Sequence, residues 1–451
     1  MSRWVQTRSS TNPVRALSSS RLRASMGCTR PPVSGLRSYC WRVARKKPTP
    51  TTLFDDRDRE DYGHKKWAES QYGFLNRRAG PEWDNVRREA ERWYAEFDDP
   101  SRDLLRRFRR KEDEQHLPAW WELYVHQLFV RLGYEVAVHP QLPRREERPD
   151  FLVTRGTESL YVEATTVFNG DYNMNPHGQA WVQDFIDSAQ NPDFMVDIEF
   201  PRVAPTGWPR RREIVDPLEQ WLARLDWAEA RADWESNGIG YMSSPRWRWN
   251  HECGDWTIAY LATPVQAESR RKGRRLIAIP ATSAANFSHD IQRIRTKLNE
   301  KGGNKYSSLD GPLEKPVVVA MQLWNQVDED DLVNVLFGSA HVEWFMDNTT
   351  GSVVPESIRS VRVPDGYWRP DFDPRGTRIS GVLFGNTLSS YRVASKLPEL
   401  WLNPWASVLL PNLDPFRTRY VDDENRLATR EATDTAPTVF NLPRQWPNAT
   451  I

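Results

Sequence analysis

The stretch "RPDFLVTRGTESLYVEATTV", from Arg148 to Val167, combines two apolar runs, a turn and two carboxylates. The run "DFLVT" (150–154) is apolar and "SLYVEATTV" (159–167) alternates, which predicts two strands, and "RGTE" between them predicts a hairpin turn. Asp150 begins the first strand and Glu163 follows 13 residues later in the second. Because a hairpin folds the ends of its strands together, we expect the two carboxylates to lie side by side.

The segment before this hairpin predicts a helix and one more strand. Apolar residues recur there at three- and four-residue spacing, with Pro118 suited to the first helical turn and Gly133 placed to end the helix. Glu122 lies in this helix among apolar neighbours. The following "YEVAVH" (134–139) alternates and predicts a strand. The unit is therefore helix, strand, strand, strand.

Further elements follow a long segment. Residues 168 to about 285 predict an insertion with its own strands and a helix. After it, "SHDIQRIRTKLNEKGG" (288–303) predicts a helix, and "KPVVVAMQLW" (315–324) predicts a strand buried on both faces. The chain from 341 to 451 contains one more clear strand, "ISGVLFG" (379–385), followed by irregular chain.

Paired carboxylates at the ends of adjacent strands are ligands that Mg²⁺ or Mn²⁺ accepts. Such an ion neutralises phosphate charge and generates a hydroxide-like nucleophile, which is the chemistry that phosphodiester hydrolysis needs. Asp150 and Glu163 are the candidate metal ligands, and the carbonyl of Ala164 is a natural third ligand. Glu122 is a candidate for a further carboxylate or for orienting a water.

This unit resembles the PD-(D/E)xK, or restriction-endonuclease-like, nuclease superfamily. Glu122 matches the helix acid, Pro149-Asp150 the PD pair, and Glu163-Ala164-Thr165 the final motif. The resemblance covers about 117–167 and 286–324, and its motif is short. It implies an α/β fold with a mixed central sheet flanked by helices, here with a large insertion and a C-terminal extension. It also implies metal-dependent cleavage of DNA or RNA.

The chain departs from the family pattern at Thr165, where the family has a lysine. No lysine lies between Lys111 and Lys272, so few amines can replace it. The family is known to place this lysine on a neighbouring helix. Lys297 is our first candidate and Lys301, one helical turn later, is the second; Lys305 is the third. The alternative is that these lysines are solvated charges on an exposed helix face.

The Pro-Asp pair by itself is not specific, because it occurs four times, at 149–150, 192–193, 364–365 and 370–371. The last copy repeats the opening as "RPDFDPRGTRISGVLFGNT". Its following strand has no carboxylate at the matching place. Only the first copy combines the pair with a second acid and a preceding helix that contains a glutamate.

Composition divides the chain and bears on its location. Residues 1–54 contain 11 basic and no acidic residues, which predicts a disordered basic tail or a mitochondrial transit peptide, with Met26 as an alternative start. A helical region is predicted for 55–116 and the core for 117–340. With only three cysteines and no apolar run of membrane-spanning length, we expect an intracellular, cytoplasmic protein without a membrane segment, or a mitochondrial one if the tail is a transit peptide.

The bulk charge does not support a grip on long nucleic acid. Without residues 1–54 the chain has 51 basic and 61 acidic residues, whereas proteins that bind duplex DNA electrostatically usually have a basic footprint. Nucleic acid is thus a possible partner that charge alone does not indicate. The alternative function is a catalytically inactive nuclease-like fold that acts as a binding or protein-interaction module. The missing motif lysine favours this alternative, and the intact acid pair favours the enzyme.

Overall fold

A computed structural model describes residues 51–142, 146–168, 176–201, 207–270, 273–279, 287–304, 313–324, 327–346, 351–369, 375–411, 413–424 and 426–448. Within them the helices are α1 Gln71–Arg77, α2 Pro81–Ala95, α3 Asp103–Phe108, α4 Asp113–Arg131, α5 Pro176–Asp187, α6 Arg211–Leu222, α7 Trp227–Asn237, α8 Ile239–Ser243, α9 Phe287–Leu298, α10 Glu329–Phe337 and α11 Ala436–Phe440. The strands are β1 Glu135–Val138, β2 Phe151–Arg155, β3 Glu158–Val167, β4 Phe194–Glu199, β5 Arg248–Cys253, β6 Trp256–Pro264, β7 Ile277–Ile279, β8 Val317–Leu323, β9 Ala340–Glu343, β10 Arg359–Arg362, β11 Gly381–Asn386, β12 Glu399–Leu402, β13 Thr418–Val421 and β14 Leu427–Arg430.

Eight of these strands form one mixed sheet in the order β1-β2-β3-β8-β11-β12-β13-β14. The three central strands, β3, β8 and β11, are parallel to one another. The β2–β3 hairpin is antiparallel and turns at Gly156-Thr157, where Gly156 has φ +61°. The predicted α/β fold with a mixed central sheet is confirmed, and the "RGTE" turn lies where the sequence predicts it.

Helices cover both faces of the sheet. All seven residues of β8 are buried. Val318 and Ala320 pack in the apolar cluster that contains α4, whereas Val319 and Met321 pack in a second cluster with Ile294 and other residues of α9 and α10. A continuous apolar run is stable as a strand only when both faces are covered, which explains the sequence "VVVAMQL".

Helix α4 is the central helix on the face of the main sheet that contains Val318 and Ala320. It begins at Asp113, five residues before Pro118, so the predicted start is wrong. Pro118 removes one hydrogen bond inside the helix, but the residues that follow it are buried on nearly every side and hold the helix in place. The indole Nε1 of Trp121 donates to the carbonyl of Ala320 at 2.9 Å, which ties α4 to β8.

The predicted insertion forms a second sheet with its own core. Its strand order is β5-β6-β4-β7, and helices α5 to α8 supply the apolar residues that pack against it. The insertion has strands of its own, as expected: the apolar runs "FMVDIEF" (194–200), "WTIAYLATP" (256–264) and "RLIAIP" (275–280) contain β4, β6 and β7. Strands β3 and β8, which precede and follow the insertion in sequence, are therefore still neighbours in the main sheet.

The C-terminal extension differs from its prediction of one strand and an irregular tail. It supplies four strands of the main sheet, and β11 lies beside the central strand β8. Strand β11 is the predicted "ISGVLFG" run. Strands β12, β13 and β14 are only four residues long, and their sequences (ELWL, TRYV and LATR) lack a clear alternation. Pairing with distant strands stabilises such segments, so local pattern does not reveal them.

The described part of the chain begins at Thr51, so it includes the last four residues of the predicted basic tail. Leu53 and Phe54 are buried in the core, and the backbone N–H groups of both donate to the carboxylate of Glu91. The rest of the predicted basic tail lies outside the described residues. None of the described helices is both long and apolar enough to cross a membrane.

Candidate active site

The carboxylates of Asp150 and Glu163 meet across the β2–β3 hairpin. Phe151 pairs with Val162, so the next position brings Asp150 opposite Glu163. The backbone N–H of Ala164 donates to the Asp150 Oδ2 at 2.7 Å, which fixes the Asp150 carboxylate against β3. The expected convergence of the two acids is therefore present.

Strand alternation points Glu163 toward α9. Val162 and Ala164 belong to the apolar cluster of α4, and side chains of successive strand residues point to opposite faces. Glu163 pairs with Val319, which packs in the cluster of α9, and the Glu163 side chain has 0% exposure. The sequence alone also allowed Glu163 to face solvent. Because both faces of the sheet are covered, that alternative is wrong.

Lys301 brings its amine to both acids. Its Nζ lies 2.8 Å from Asp150 Oδ2 and 2.9 Å from Glu163 Oε2. The three side chains are 22%, 13% and 0% exposed, so the cluster is largely shielded from solvent. Lys301, 138 positions after Glu163 in the sequence, thus brings an amine to the acids. Thr165 has no amine to offer there.

A π-helical turn at Asn299–Asn304 carries Lys301 beyond the end of α9. Gly302, the residue after Lys301, packs so closely against its surroundings that a Cβ added to it would lie 2.3 Å from the Cδ1 of Ile379. The hydroxyl of Tyr367 donates to the carbonyl of Leu298 at 3.0 Å, at the last residue of α9. Residues of the C-terminal extension therefore hold the turn that positions the amine. Such π-turns are frequent at functional sites.

The acids keep the Lys301 ammonium charged. Burial opposes the charged form, but attraction to Asp150 and Glu163 and the hydrogen bonds to both outweigh it, so the pKa of Lys301 is raised above its ordinary value of 10.5. At neutral pH a lysine in this state is a hydrogen-bond donor with a fixed positive charge. It is not a general base.

Glu122 lies next to this cluster and is held by Arg107. The guanidinium donates twice, from Nη1 to Oε1 at 2.9 Å and from Nη2 to Oε2 at 2.7 Å. Burial raises the pKa of Glu122, and the negative charge of Asp150 raises it further, while Arg107 and Lys301 lower it. Glu122 is thus electrostatically coupled to the acid–lysine cluster. The sequence analysis did not identify Arg107, because nothing local distinguishes it within "RRFRRK".

The other proposed amines behave differently. Lys297 Nζ lies 2.6 Å from Glu300 Oε2 on an exposed face, so the structure does not bring it to the acids. Arg293, on the same helix, donates to the carbonyl of Phe168. Lys305 lies outside the described residues. Of the two lysine candidates that the structure describes, Lys301 is the one that reaches the site.

The donor set limits how a divalent ion could be held. In the described part of the chain, no group of three His, Cys, Asp or Glu side chains is arranged to hold a metal ion. Mg²⁺, however, is often bound by one or two carboxylates and otherwise by water and substrate phosphate. Asp150 and Glu163 fit that pattern, with the Ala164 carbonyl as the predicted third ligand. Glu122 does not, because Arg107 binds both of its oxygens.

A cavity of about 840 Å³ lies elsewhere, lined by charged residues such as Lys65, Asp184 and Arg275 and by Trp181. None of its described lining residues belongs to the acid–lysine cluster. The chemistry-bearing groups therefore identify the candidate site, whereas cavity volume does not.

Comparisons with protein-family models, with curated proteins and with solved structures found no match to this chain. The assignment of the site consequently rests on the geometry of Asp150, Glu163 and Lys301.

Proposed function

We propose that the protein is a metal-dependent nuclease of the PD-(D/E)xK type, in which Lys301 replaces the lysine that the motif lacks. The observation that carries this proposal is the contact of one amine with both acids, at 2.8 and 2.9 Å. It is supported by the order of elements α4, β1, β2, β3, α9 and β8 around the site. The adjacent strands β1-β2-β3-β8, with β3 parallel to β8, fit the restriction-endonuclease-like core.

In this proposal Asp150 and Glu163 would hold one or two Mg²⁺ or Mn²⁺ ions, which would supply charge neutralisation of the phosphate and an activated water. The chain itself contributes a shielded pocket and a fixed ammonium. Lys301 donates hydrogen bonds and stabilises negative charge as it develops on the phosphate, in the way that preorganised donors do in other enzymes. Glu122, held by Arg107, orients the attacking water.

The alternative function is a nuclease-like fold without chemistry that serves as an interaction module. The same contacts support it in one respect, because an ammonium between two carboxylates is also a complete structural ion cluster. The two proposals differ in one property. A nuclease must accept a divalent cation at the acid pair, whereas a structural cluster has no need of one.

The test is to measure Mn²⁺ binding by calorimetry and cleavage of single- and double-stranded DNA and RNA in Mg²⁺ and Mn²⁺. We expect Asp150→Asn and Glu163→Gln each to abolish both properties. Asp193→Asn is the matched control, because Asp193 also follows a proline but pairs with Arg270 away from the site. Circular dichroism verifies that each variant is folded. Mn²⁺ binding that persists in both site variants, or a wild-type protein that binds no Mn²⁺, would exclude the nuclease assignment.

A further inference from the structure

Exposed apolar side chains concentrate on and beside one two-stranded ribbon, formed by β9 and β10. Strands β9 and β10 pair only with each other among the described strands. Six of the twelve large hydrophobic residues that are exposed in the described part of the chain lie between 342 and 358: Val342, Trp344, Phe345, Met346, Val353 and Ile358. Contiguous exposed apolar surface of this kind marks interaction sites. The ribbon is therefore a candidate interface.

One edge of the ribbon is open for pairing. The N–H of Val363 donates to the carbonyl of Ser339 at 2.9 Å, one position beyond the β9–β10 ladder, which gives this couple the hydrogen-bonded orientation although the Ser339 N–H itself donates to Asp365. Hydrogen-bonded pairs recur at every second residue of an antiparallel ladder. His341 and Glu343 therefore direct their backbone groups toward β10, and Val342 directs its own toward the open edge. No described strand pairs with that edge.

We propose that the β9 edge binds the β9 edge of a second copy of this chain, antiparallel and centred on Val342. Backbone geometry allows twofold pairing centred on residue 341, 342 or 343. A centre at 341 places His341 opposite itself, and a centre at 343 places the negative Glu343 opposite itself. Of these three centres, only the one at Val342 places each His341 opposite a Glu343, so that an imidazole N–H twice faces a carboxylate that Arg359 of its own copy also contacts, at 2.9 Å.

This pairing yields a four-stranded sheet across the two copies and continues the apolar surface of the ribbon. Val342 and Trp344, 56% and 53% exposed, lie two residues apart and so share one face. The β10 edge is less suitable, because its sequence RSVR contains two arginines and no carboxylate. Charged edge strands resist edge-to-edge association. The second copy therefore pairs through β9, and the proposal does not depend on the nuclease assignment.

The first experiment measures the oligomeric state of the full-length chain by light scattering and sedimentation over a range of concentrations. We expect a dimer whose dissociation constant rises by roughly tenfold or more in Val342→Lys, because two ammonium groups then meet at the twofold axis. Ile358→Lys is the matched control, since Ile358, immediately before β10, is about as exposed as Val342, at 55%, but is not part of the β9 edge. A monomeric wild type, or equal effects of the two variants, would overturn the proposal.

A second pair of variants tests the register. His341→Glu places carboxylates opposite one another and weakens the dimer, whereas the double variant His341→Glu with Glu343→His restores the opposite pairing and the dimer. Val342→Cys places two thiols at the twofold axis, where the Cα–Cα distance of a hydrogen-bonded pair, about 5.5 Å, is compatible with a disulfide. We expect oxidation to cross-link Val342→Cys but not Ile358→Cys. Failure of Val342→Cys to cross-link would contradict the register.

Discussion

The amine of Lys301 lies 2.9 Å from the Oε2 of Glu163, although 138 residues and the whole second sheet separate the two in sequence. Under the proposed function, this contact takes the place of the short-range one that a lysine two residues after Glu163 would make. Its position on a separate element means that the amine and the acids can be altered independently.

Replacing Lys301 should separate ion binding from catalysis. In Lys301→Met the acids lose their resident positive charge, so we expect Mn²⁺ to bind at least as tightly as in the wild type while cleavage falls by about a hundredfold or more. Binding is measured by calorimetry and cleavage with a labelled oligonucleotide. Lys297→Met is the control and should change neither, because Lys297 pairs with Glu300. Loss of Mn²⁺ binding in Lys301→Met would contradict this role for the amine.

The same substitution predicts a pH signature in stability. The pKa of Lys301 is raised above 10.5, so its ion pairs stabilise the fold fully below about pH 10.5 and this contribution is lost at higher pH. Without added metal, Lys301→Met should lower the free energy of unfolding by about 3 kcal/mol, and by a similar amount at about pH 7 and pH 9. Denaturant unfolding at the two pH values measures this. If Lys301→Met and the wild type had equal free energies of unfolding at the higher pH, the two acids would not hold the ammonium as described.

The turn that carries Lys301 should be intolerant of a methyl group. Gly302→Ala would bring a Cβ to within 2.3 Å of the buried Ile379 side chain, so the turn must move and Lys301 with it. We expect a loss of about 1–3 kcal/mol in unfolding free energy and a fall in cleavage. Gly240→Ala is the control, because an added Cβ there meets only the Cβ of Asn237 at an ordinary 3.6 Å. Equal stability of the two variants would show that the close packing is not required.

Arg107 should set the acid side of the activity profile through Glu122. Burial and the charge of Asp150 raise the pKa of Glu122, and Arg107 is the main group that lowers it. Removing the guanidinium in Arg107→Met therefore raises this pKa further. We expect the acidic limb of the pH–rate profile to move to higher pH. Arg106→Met is a close control, because Arg106 also pairs with Asp103 but makes no contact with Glu122. Identical profiles for the two variants would remove Glu122 from the proposed mechanism.

Buried histidine predicts sensitivity to acid. Burial lowers the pKa of His126 from 6.5 to about 4, so the native state keeps the ring neutral while the unfolded chain takes up a proton. Stability attributable to this residue is therefore lost as pH falls from about 6.5 to about 4. We expect His126→Leu to reduce the slope of unfolding free energy against pH in that window by up to one proton. An unchanged slope would mean that the ring is accessible to protons in the native state.

The proximity of Asp150 and Glu163 could be predicted from the sequence because it depends on local features. A two-residue turn and the alternation of two strands are sufficient to bring Asp150 opposite Glu163. Which of Lys297 and Lys301 reaches the acids was harder to predict from the sequence. Spacing of four residues places Lys297 and Lys301 on one face of an α-helix, but α9 ends at Leu298 and the π-helical turn that follows redirects Lys301.

Arg107 and the C-terminal strands illustrate what local pattern cannot show. Arg107 is one of several arginines in its segment, and its role depends on Glu122, 15 residues away on another helix. Strands β12 to β14 depend on partners rather than on their own composition. Conversely, β8 and β11 were predictable as strands, since their apolar runs require burial on both faces.

The clamp of Tyr367 and Ile379 on the Lys301 turn has a consequence for biosynthesis. Both acids leave the ribosome more than 200 residues before these two clamping side chains, and β11, the second neighbour of β8, emerges later still. A nascent chain therefore displays Asp150 and Glu163 well before their amine can be locked in place. The complete acid–lysine cluster can therefore form only near the end of translation, and a chain truncated before residue 367 would contain every proposed catalytic residue without the contacts that hold the Lys301 turn.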